Sequence, residues 1–176
     1  MPRNRPRRAS WAEIEGEAFA PGFFVWNSEV GKRTVGISTF WFQAVCANHI
    51  VWDAVEVQEF SRKHTANVHE ALAGIRRTLE QLVELRDARR DGFVAVMRKA
   101  MQEKLGDDAE EATKLLARSG ISRQLATKAL DIAGQQGRLT IFAVVDALTR
   151  MSGNLRNAGE RLEADQKAAA LLELVA

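Results

Sequence analysis

Three side chains with chemical potential lie within four positions of one another, in a stretch that is otherwise apolar. Cys46 is followed by Asn48 and His49, and a thiol beside an imidazole is a pairing that nucleophilic catalysis uses. A reactive thiolate needs partial exposure and a positive neighbourhood, whereas Cys46 lies within the apolar run AVCA. We therefore interpret Cys46 as a packing residue and predict no catalytic site around it.

The sequence also lacks the spacings that hold metals or nucleotides. Apart from His49, the histidines are His64 and His69, which fall about 140° apart on an ideal helix and do not share a face. No CxxC, HExxH, GxGxxG or GxxxxGK[ST] spacing occurs in the chain. The sequence predicts no metal, no small-molecule cofactor and no enzyme.

Basic side chains between positions 61 and 99 form a more promising pattern. They are Arg62, Lys63, Arg76, Arg77, Arg86, Arg89, Arg90, Arg98 and Lys99. Such a row can neutralise phosphates while nearby aromatic rings stack on bases. Acidic residues are interleaved with the basic ones, and a mixed-charge face is also typical of a solvated helix surface, so both interpretations stay open.

Length and composition describe a globular chain with a basic start. With 176 residues and 46% hydrophobic content, the chain can bury a core. Residues 1–10 hold four arginines and no acid, and predict a disordered basic tail. We expect an α+β core over 11–105 and a helical lobe over 106–176. A single cysteine forms no disulfide within the chain, so nothing here requires an oxidising compartment. No apolar run approaches the roughly 20 residues that cross a bilayer. We therefore expect a cytoplasmic protein without a membrane partner.

The region before residue 54 predicts a small antiparallel sheet. Residues 11–20 resemble a short edge strand, and Pro21 with Gly22 is expected to interrupt the regular structure after it. The runs FFVWNSEV and TVGIS flank GKR and predict a hairpin with Lys32 and Arg33 at its exposed tip.

The next run, TFWFQAVCANHIVW, is so uniformly apolar that periodicity does not separate a strand from a helix. The spacing of Phe40, Ala44 and Ala47 favours a short buried helix. HIVWDAVEVQEF, which overlaps its end, alternates as a strand does.

Beyond residue 61 the pattern is helical. One long amphipathic helix is predicted from the apolar stripe Val68, Leu72, Ile75, Leu79 and Leu82. Gly92 is expected to break or bend it, and the stripe then continues through Phe93, Met97, Met101 and Leu105. Asp107 or Asp108, Ser122 and Thr140 have the side chains that cap helix starts. We also expect Thr140 to begin a helix that is buried on most sides, and a final helix to close the chain.

A second DNA-binding pattern lies in EEATKLLARSGISRQLATKALDIA, which has the order helix, glycine turn, helix. A helix-turn-helix that reads duplex DNA requires Ser122, Arg123, Gln124 and Lys128 to be exposed on one face. Any helical hairpin shows the same order, so this pattern alone does not decide the function.

Several short motifs resemble a phage- and plasmid-associated family, the domain of unknown function 932. The motif residues are Asn27, Ser28, Glu29, Gly31, Cys46, Asn48, His49, Asp146, Ala147, Leu148 and Thr149. Where the commoner family pattern has Asn before Ala-Leu-Thr, this chain has Asp146. The first seven are interpreted as structural. Because family members are generally longer at the N-terminus, the resemblance also implies that the chain is a truncated copy.

The mobile-element setting that this resemblance implies favours a role in DNA metabolism. We predict a non-enzymatic single-stranded DNA-binding or annealing protein that forms a homo-oligomer. Phosphate contacts are predicted from Lys32, Arg33, Arg62, Lys63, Arg76 and Arg77, and base stacking from Trp26 or Trp41. The alternatives are an oligomeric interaction module that binds no nucleic acid, and the helix-turn-helix duplex binder.

Overall fold

The N-terminal part of the chain forms a four-stranded antiparallel sheet. The computed structural model describes residues 12–26, 36–43, 48–50, 68–135, 137 and 139–176. The strands are β1 (Ala12–Ile14), β2 (Glu17–Trp26), β3 (Gly36–Gln43) and β4 (Asn48–Ile50), paired in that order. The pairing of β2 with β3 confirms the predicted hairpin, whereas the predicted tail over 1–10 lies outside the described residues.

A two-residue turn joins β1 to β2. Ile14 pairs with Glu17, and the two residues between them, Glu15 and Gly16, have φ angles of 49° and 86°. Positive φ at both central residues is the conformation whose twist matches that of the flanking strands. Residues 12–19 therefore form a tight hairpin, where the sequence suggested a single edge strand over 11–20.

The predicted break at Pro21 and Gly22 is wrong, because β2 runs through both residues. Pro21 pairs with Trp41, and Gly22 pairs with Phe40. Gly22 lies directly beneath the Phe40 ring, since a Cβ atom at this position would come within 2.5 Å of the ring Cζ. The glycine thus permits a close approach inside a strand.

The predicted short buried helix after residue 38 is also wrong. Residues 36–43 form β3, and residues 48–50 form β4, which pairs back onto it. Aromatic and β-branched residues fit a pleated sheet well, and pairing with β2 supplies the backbone partners of β3. A uniformly apolar run carries no information about such distant pairing.

The rest of the described chain is helical, which confirms the α+β class. The helices are α1 (Val68–Glu84), α2 (Arg86–Gln102), α3 (Ala109–Arg118), α4 (Arg123–Gln135), α5 (Ile141–Ser152) and α6 (Ala158–Ala169), followed by a 3-10 helix (Ala170–Leu174). The predicted single long helix is two helices that meet at Leu85. Hydrogen bonds from the Leu85 amide to Gln81 O (2.9 Å) and from the Arg89 amide to Leu85 O (3.0 Å) run through this junction. Gly92 lies inside α2, so the helix is interrupted at Leu85 and not at Gly92, where the sequence predicted the break.

Polar caps start several helices at the expected places. The Asp108 carboxylate accepts the Glu111 amide at 2.8 Å, and the Thr140 hydroxyl oxygen accepts the Ala143 amide at 3.2 Å. Each cap satisfies an amide that the first helical turn leaves free. Helix α5 then buries most of its surface, as its apolar sequence predicted.

Phe93 on α2 joins the sheet to the helices. Its ring is fully buried, stacks on Trp41 at a centroid distance of 4.3 Å, and meets Phe19 edge-on at 5.3 Å. Buried apolar residues form one core that extends from Ala12 to Val175 and includes members of both predicted regions, 11–105 and 106–176.

Replacing Phe93 with alanine should destabilise the protein by about 3–5 kcal/mol, because the substitution removes both ring contacts and leaves a cavity in the core. Urea denaturation followed by tryptophan fluorescence measures the loss. The matched control is Val83→Ala at the end of α1, where the side chain is 64% exposed and the expected change is within about 0.5 kcal/mol. A Phe93→Ala cost similar to that of the control would contradict the central role of this ring.

Candidate functional site

Trp41, one of the two predicted base-stacking residues, is part of the core. Its side chain is only 3% exposed, and its indole lies parallel to the Phe93 ring, with an interplanar angle of 5°. Exposing this indole to stack on a base would dismantle the contact between the sheet and α2. The prediction that Trp41 stacks on nucleic acid is therefore wrong. The other candidate, Trp26, ends β2, and its side chain lies outside the described residues.

The strand register shows which residues connect β2 to β3. Trp26 pairs with Gly36, so residues 27–35 connect the ends of β2 and β3. Lys32 and Arg33 belong to this connection. Their side chains lie outside the described residues, as do Arg62 and Lys63, and phosphate binding by these four stays a prediction. The motif residues Asn27, Ser28, Glu29, Gly31 and Cys46 also fall outside them.

An exposed aromatic side chain that the sequence argument overlooked lies on the same hairpin. Phe23 is 53% exposed, whereas Phe19, four residues earlier on the same face of β2, is fully buried. Exposure thus increases along β2 toward the 27–35 connection. The 3.4 Å rise per residue puts the two α-carbons about 14 Å apart, which is enough to carry Phe23 clear of the helices. Alternation of the sequence groups the two residues on one face but cannot say where the core ends.

The basic residues of α1 and α2 do not form a single uninterrupted face. Arg76 and Arg77 are exposed on α1, and Arg76 Nε contacts Glu80 Oε1 at 2.9 Å. On α2, Arg90 pairs with Asp87 at 3.3 Å, whereas Lys99 donates to the carbonyl of Val175 at 3.1 Å.

Arg90 and Lys99 are nine positions apart, which puts them about 180° around the helix. Of the predicted phosphate-binding residues, the structure describes Arg76 and Arg77, and both are exposed on α1.

The four residues named for a duplex-reading helix are exposed but do not share one face, since Arg123 and Lys128 lie about 140° apart around α4. Ser122, Arg123, Gln124 and Lys128 are all exposed, and Gly120 turns the chain before α4 with a φ of 74°. The remaining face of α4 carries alanines and Leu130 that are buried in the core. Whether α4 reads DNA stays a prediction.

Helices α5 and α6 carry a set of buried polar residues, called here the polar cluster. Its members, each at most 3% exposed, are Asp146, Thr149 and Ser152 on α5 and Asp165 on α6. The Asp146 carboxylate pairs with Arg150 at 2.9 Å, and the Asp165 carboxyl contacts the Ser152 hydroxyl across the helix interface. Sequence periodicity missed Ser152 and Asp165, because a single polar residue on an apolar face resembles a break in the stripe.

Burial has the largest influence on the pKa of Asp165. Removal from water raises the pKa of Asp165 to about 6, against the Ser152 hydroxyl and the Arg161 guanidinium, which both favour the charged carboxylate. Arg161 is a weak counter-ion here, since its Nε lies 3.9 Å from the nearer carboxyl oxygen.

The strand that carries two of the motif residues packs against the same two helices. Asn48 and His49 lie in β4, which contacts both α5 and α6, although their side chains lie outside the described residues. Within the part of the chain that the structure describes, no three side chains of His, Cys, Asp or Glu converge to hold a metal ion. None of the described helices has the length and apolar character that crossing a bilayer requires.

A family model described as a domain of unknown function, DUF932, matches residues 5–171. The chain belongs to the DUF932 family. The match spans the hairpin of this DUF932 protein, its strand β4 and the polar cluster of α5 and α6. It confirms the family that the motifs indicated. No curated protein and no solved structure matches the chain.

The Asp146–Arg150 pair provides a test of the polar cluster. Arg150→Met should cost about 2 kcal/mol, less than the roughly 3–5 of a fully buried pair, because the arginine side chain is 43% exposed. The double variant with Asp146→Asn, the residue of the commoner family pattern, should recover part of this loss because the buried charge is gone. Urea denaturation of the two single variants and the double variant measures the coupling. Strictly additive costs would show that Asp146 does not depend on Arg150.

Proposed function

We propose that this DUF932 protein is a non-enzymatic single-stranded DNA-binding or annealing accessory factor, and that the β2–β3 hairpin is its binding element. The observation that best supports the proposal is the 53% exposure of Phe23. Aromatic side chains presented beside basic residues are how proteins hold single strands without reading sequence, since every base has a face that stacks. In this proposal Phe23 takes the stacking role that Trp41 cannot perform.

Phosphate contacts complete the proposed interface. Lys32 and Arg33 lie in the connection that follows β2, and Arg76 and Arg77 add exposed guanidinium groups on α1. The pair between Arg76 and Glu80 is no obstacle, because an exposed ion pair contributes only about 0.2–1 kcal/mol and exchanges readily for a phosphate. The protein would act in the cytoplasm, in recombination or other DNA metabolism of a phage or plasmid.

Fluorescence anisotropy with a labelled oligonucleotide tests the stacking contact. Phe23→Ala should weaken binding about 5- to 150-fold, the effect of losing a stacking interaction of about 1–3 kcal/mol. Leu174→Ala, which truncates an apolar side chain that is 52% exposed, serves as the control and should bind as the parent does. Equal affinity of the Phe23→Ala variant would exclude the hairpin as the stacking platform.

The same titrations at low and moderate salt test the phosphate contacts. Replacing Lys32 and Arg33 with glutamine should make the slope of log K against log salt shallower by about 1.4, or about 0.7 for each lost contact to a single strand. Absence of binding at low salt, or binding indifferent to salt, would contradict the proposal. Preference for duplex, lost on Arg123→Ala and Lys128→Ala, would instead support the helix-turn-helix alternative.

The second candidate function is self-assembly, and two exposed apolar side chains at the α1–α2 junction favour it. Val83 is 64% exposed and Leu85 55% exposed, beside the apolar stripe of α1. Light scattering should show a defined oligomer that becomes monomeric when both are replaced by lysine, because buried ammonium groups are costly. The control exchanges the exposed Arg77 for lysine. A parent protein that is monomeric at all concentrations would rule out this surface.

A further inference from the structure

Helices α5 and α6 are joined by a polar contact in the protein interior. Ser152, the last residue of α5, and Asp165, in the middle of α6, are 3% and 2% exposed. The Ser152 hydroxyl oxygen lies against two oxygen atoms at once: the carboxyl Oδ1 of Asp165 and the main-chain carbonyl of Thr149, the latter at 2.8 Å.

When Asp165 is ionised, the protons available here cannot satisfy both close contacts of the Ser152 oxygen. A hydroxyl carries one proton, and a carbonyl oxygen accepts hydrogen bonds but donates none. The Thr149 carbonyl already accepts the Gly153 amide at 3.1 Å. If Asp165 is ionised, the single Ser152 proton faces two acceptors, and one of the two close oxygen contacts is left without a proton. If Asp165 is protonated, it donates to Ser152, which donates in turn to Thr149, and both contacts are satisfied.

We propose that Asp165 carries a proton in the folded protein under mildly acidic conditions and thereby acts, through Ser152, as a pH-sensitive latch between α5 and α6. Loss of the proton redirects the Ser152 hydroxyl toward the carboxylate, releases it from the Thr149 carbonyl of α5, and leaves a negative charge buried between the helices. This buried charge weakens the latch as the pH increases through this range. This inference is independent of DNA binding.

The charges around the latch leave the Asp165 carboxyl with little compensation. Arg161 on α6 is 3.9 Å away, beyond hydrogen-bonding distance. On α5, Asp146 and Arg150 pair with each other at 2.9 Å, and the exposed Glu173 lies in the 3-10 helix. His49 is the titratable residue of β4, which also packs against α6, and its own titration must be separated from that of Asp165.

The pH dependence has a definite sign. Burial raises the pKa of Asp165 to about 6 in the folded protein, from an ordinary value of 3.8. Between these values the unfolded chain has released its proton while the folded protein retains it, so the stabilising contribution of Asp165 decreases as the pH increases. The contribution is fully present below the lower value and is lost above the upper one.

The test is urea denaturation of the full chain and of Asp165→Asn between pH 4 and pH 8. An asparagine amide can donate to Ser152 at every pH, so the variant should retain the latch when the parent loses it. The folded-to-unfolded ratio of the variant relative to the parent should increase by up to about tenfold per pH unit through this range and then level off. A constant or decreasing relative ratio would overturn the proposal.

Two further measurements separate Asp165 from its surroundings. The stability of His49→Gln should still decrease with increasing pH, as that of the parent does. Loss of this decrease would assign it to the histidine. Carboxyl carbon NMR of the labelled parent protein, with the signal assigned through its bonds to the Asp165 backbone, should show a titration midpoint near the raised pKa of about 6. A midpoint below pH 4 would overturn the proposal even if the variants fail to fold.

Discussion

The contact between Phe93 and the aromatic side chains of the sheet is the interaction on which the described structure depends. A small sheet has little independent stability unless another layer covers its apolar face. Phe93 provides the link, since it stacks on Trp41 of β3 and meets Phe19 of β2 edge-on. The same contact removes Trp41 from the surface and leaves the outer part of the hairpin, with Phe23, beyond the core.

The sequence predicted best those features that depend on local pattern. The caps at Asp108 and Thr140 and the buried character of α5 follow from residue type and helical spacing, and the structure confirms them. The short buried helix was a wrong prediction because β3 is stabilised by pairing with a distant strand. The break at Gly22 was wrong for a related reason, since the Phe40 ring that requires this glycine is 18 residues away.

The candidate site was less predictable, because its members depend on burial. Phe23 and Trp41 are both aromatic residues on the same hairpin, yet one is 53% and the other 3% exposed. Likewise, a serine and an aspartate on two helices become a coupled pair only when the helices pack together. The interior therefore has two kinds of interface: an aromatic one, which excludes water without regard to pH, and a polar one at Asp165, whose hydrogen bonding depends on a proton.

Gly22 also has a consequence for how reliably the hairpin aligns. A slip of two residues, the smallest shift that preserves the two faces of each strand, would bring Ala20 or Phe24 opposite Phe40. In the observed alignment a Cβ atom at position 22 would come within 2.5 Å of the ring, so any larger residue there would displace the Phe40 side chain. The missing side chain therefore favours the alignment in which the Phe40 ring covers Gly22 and Phe23 remains exposed.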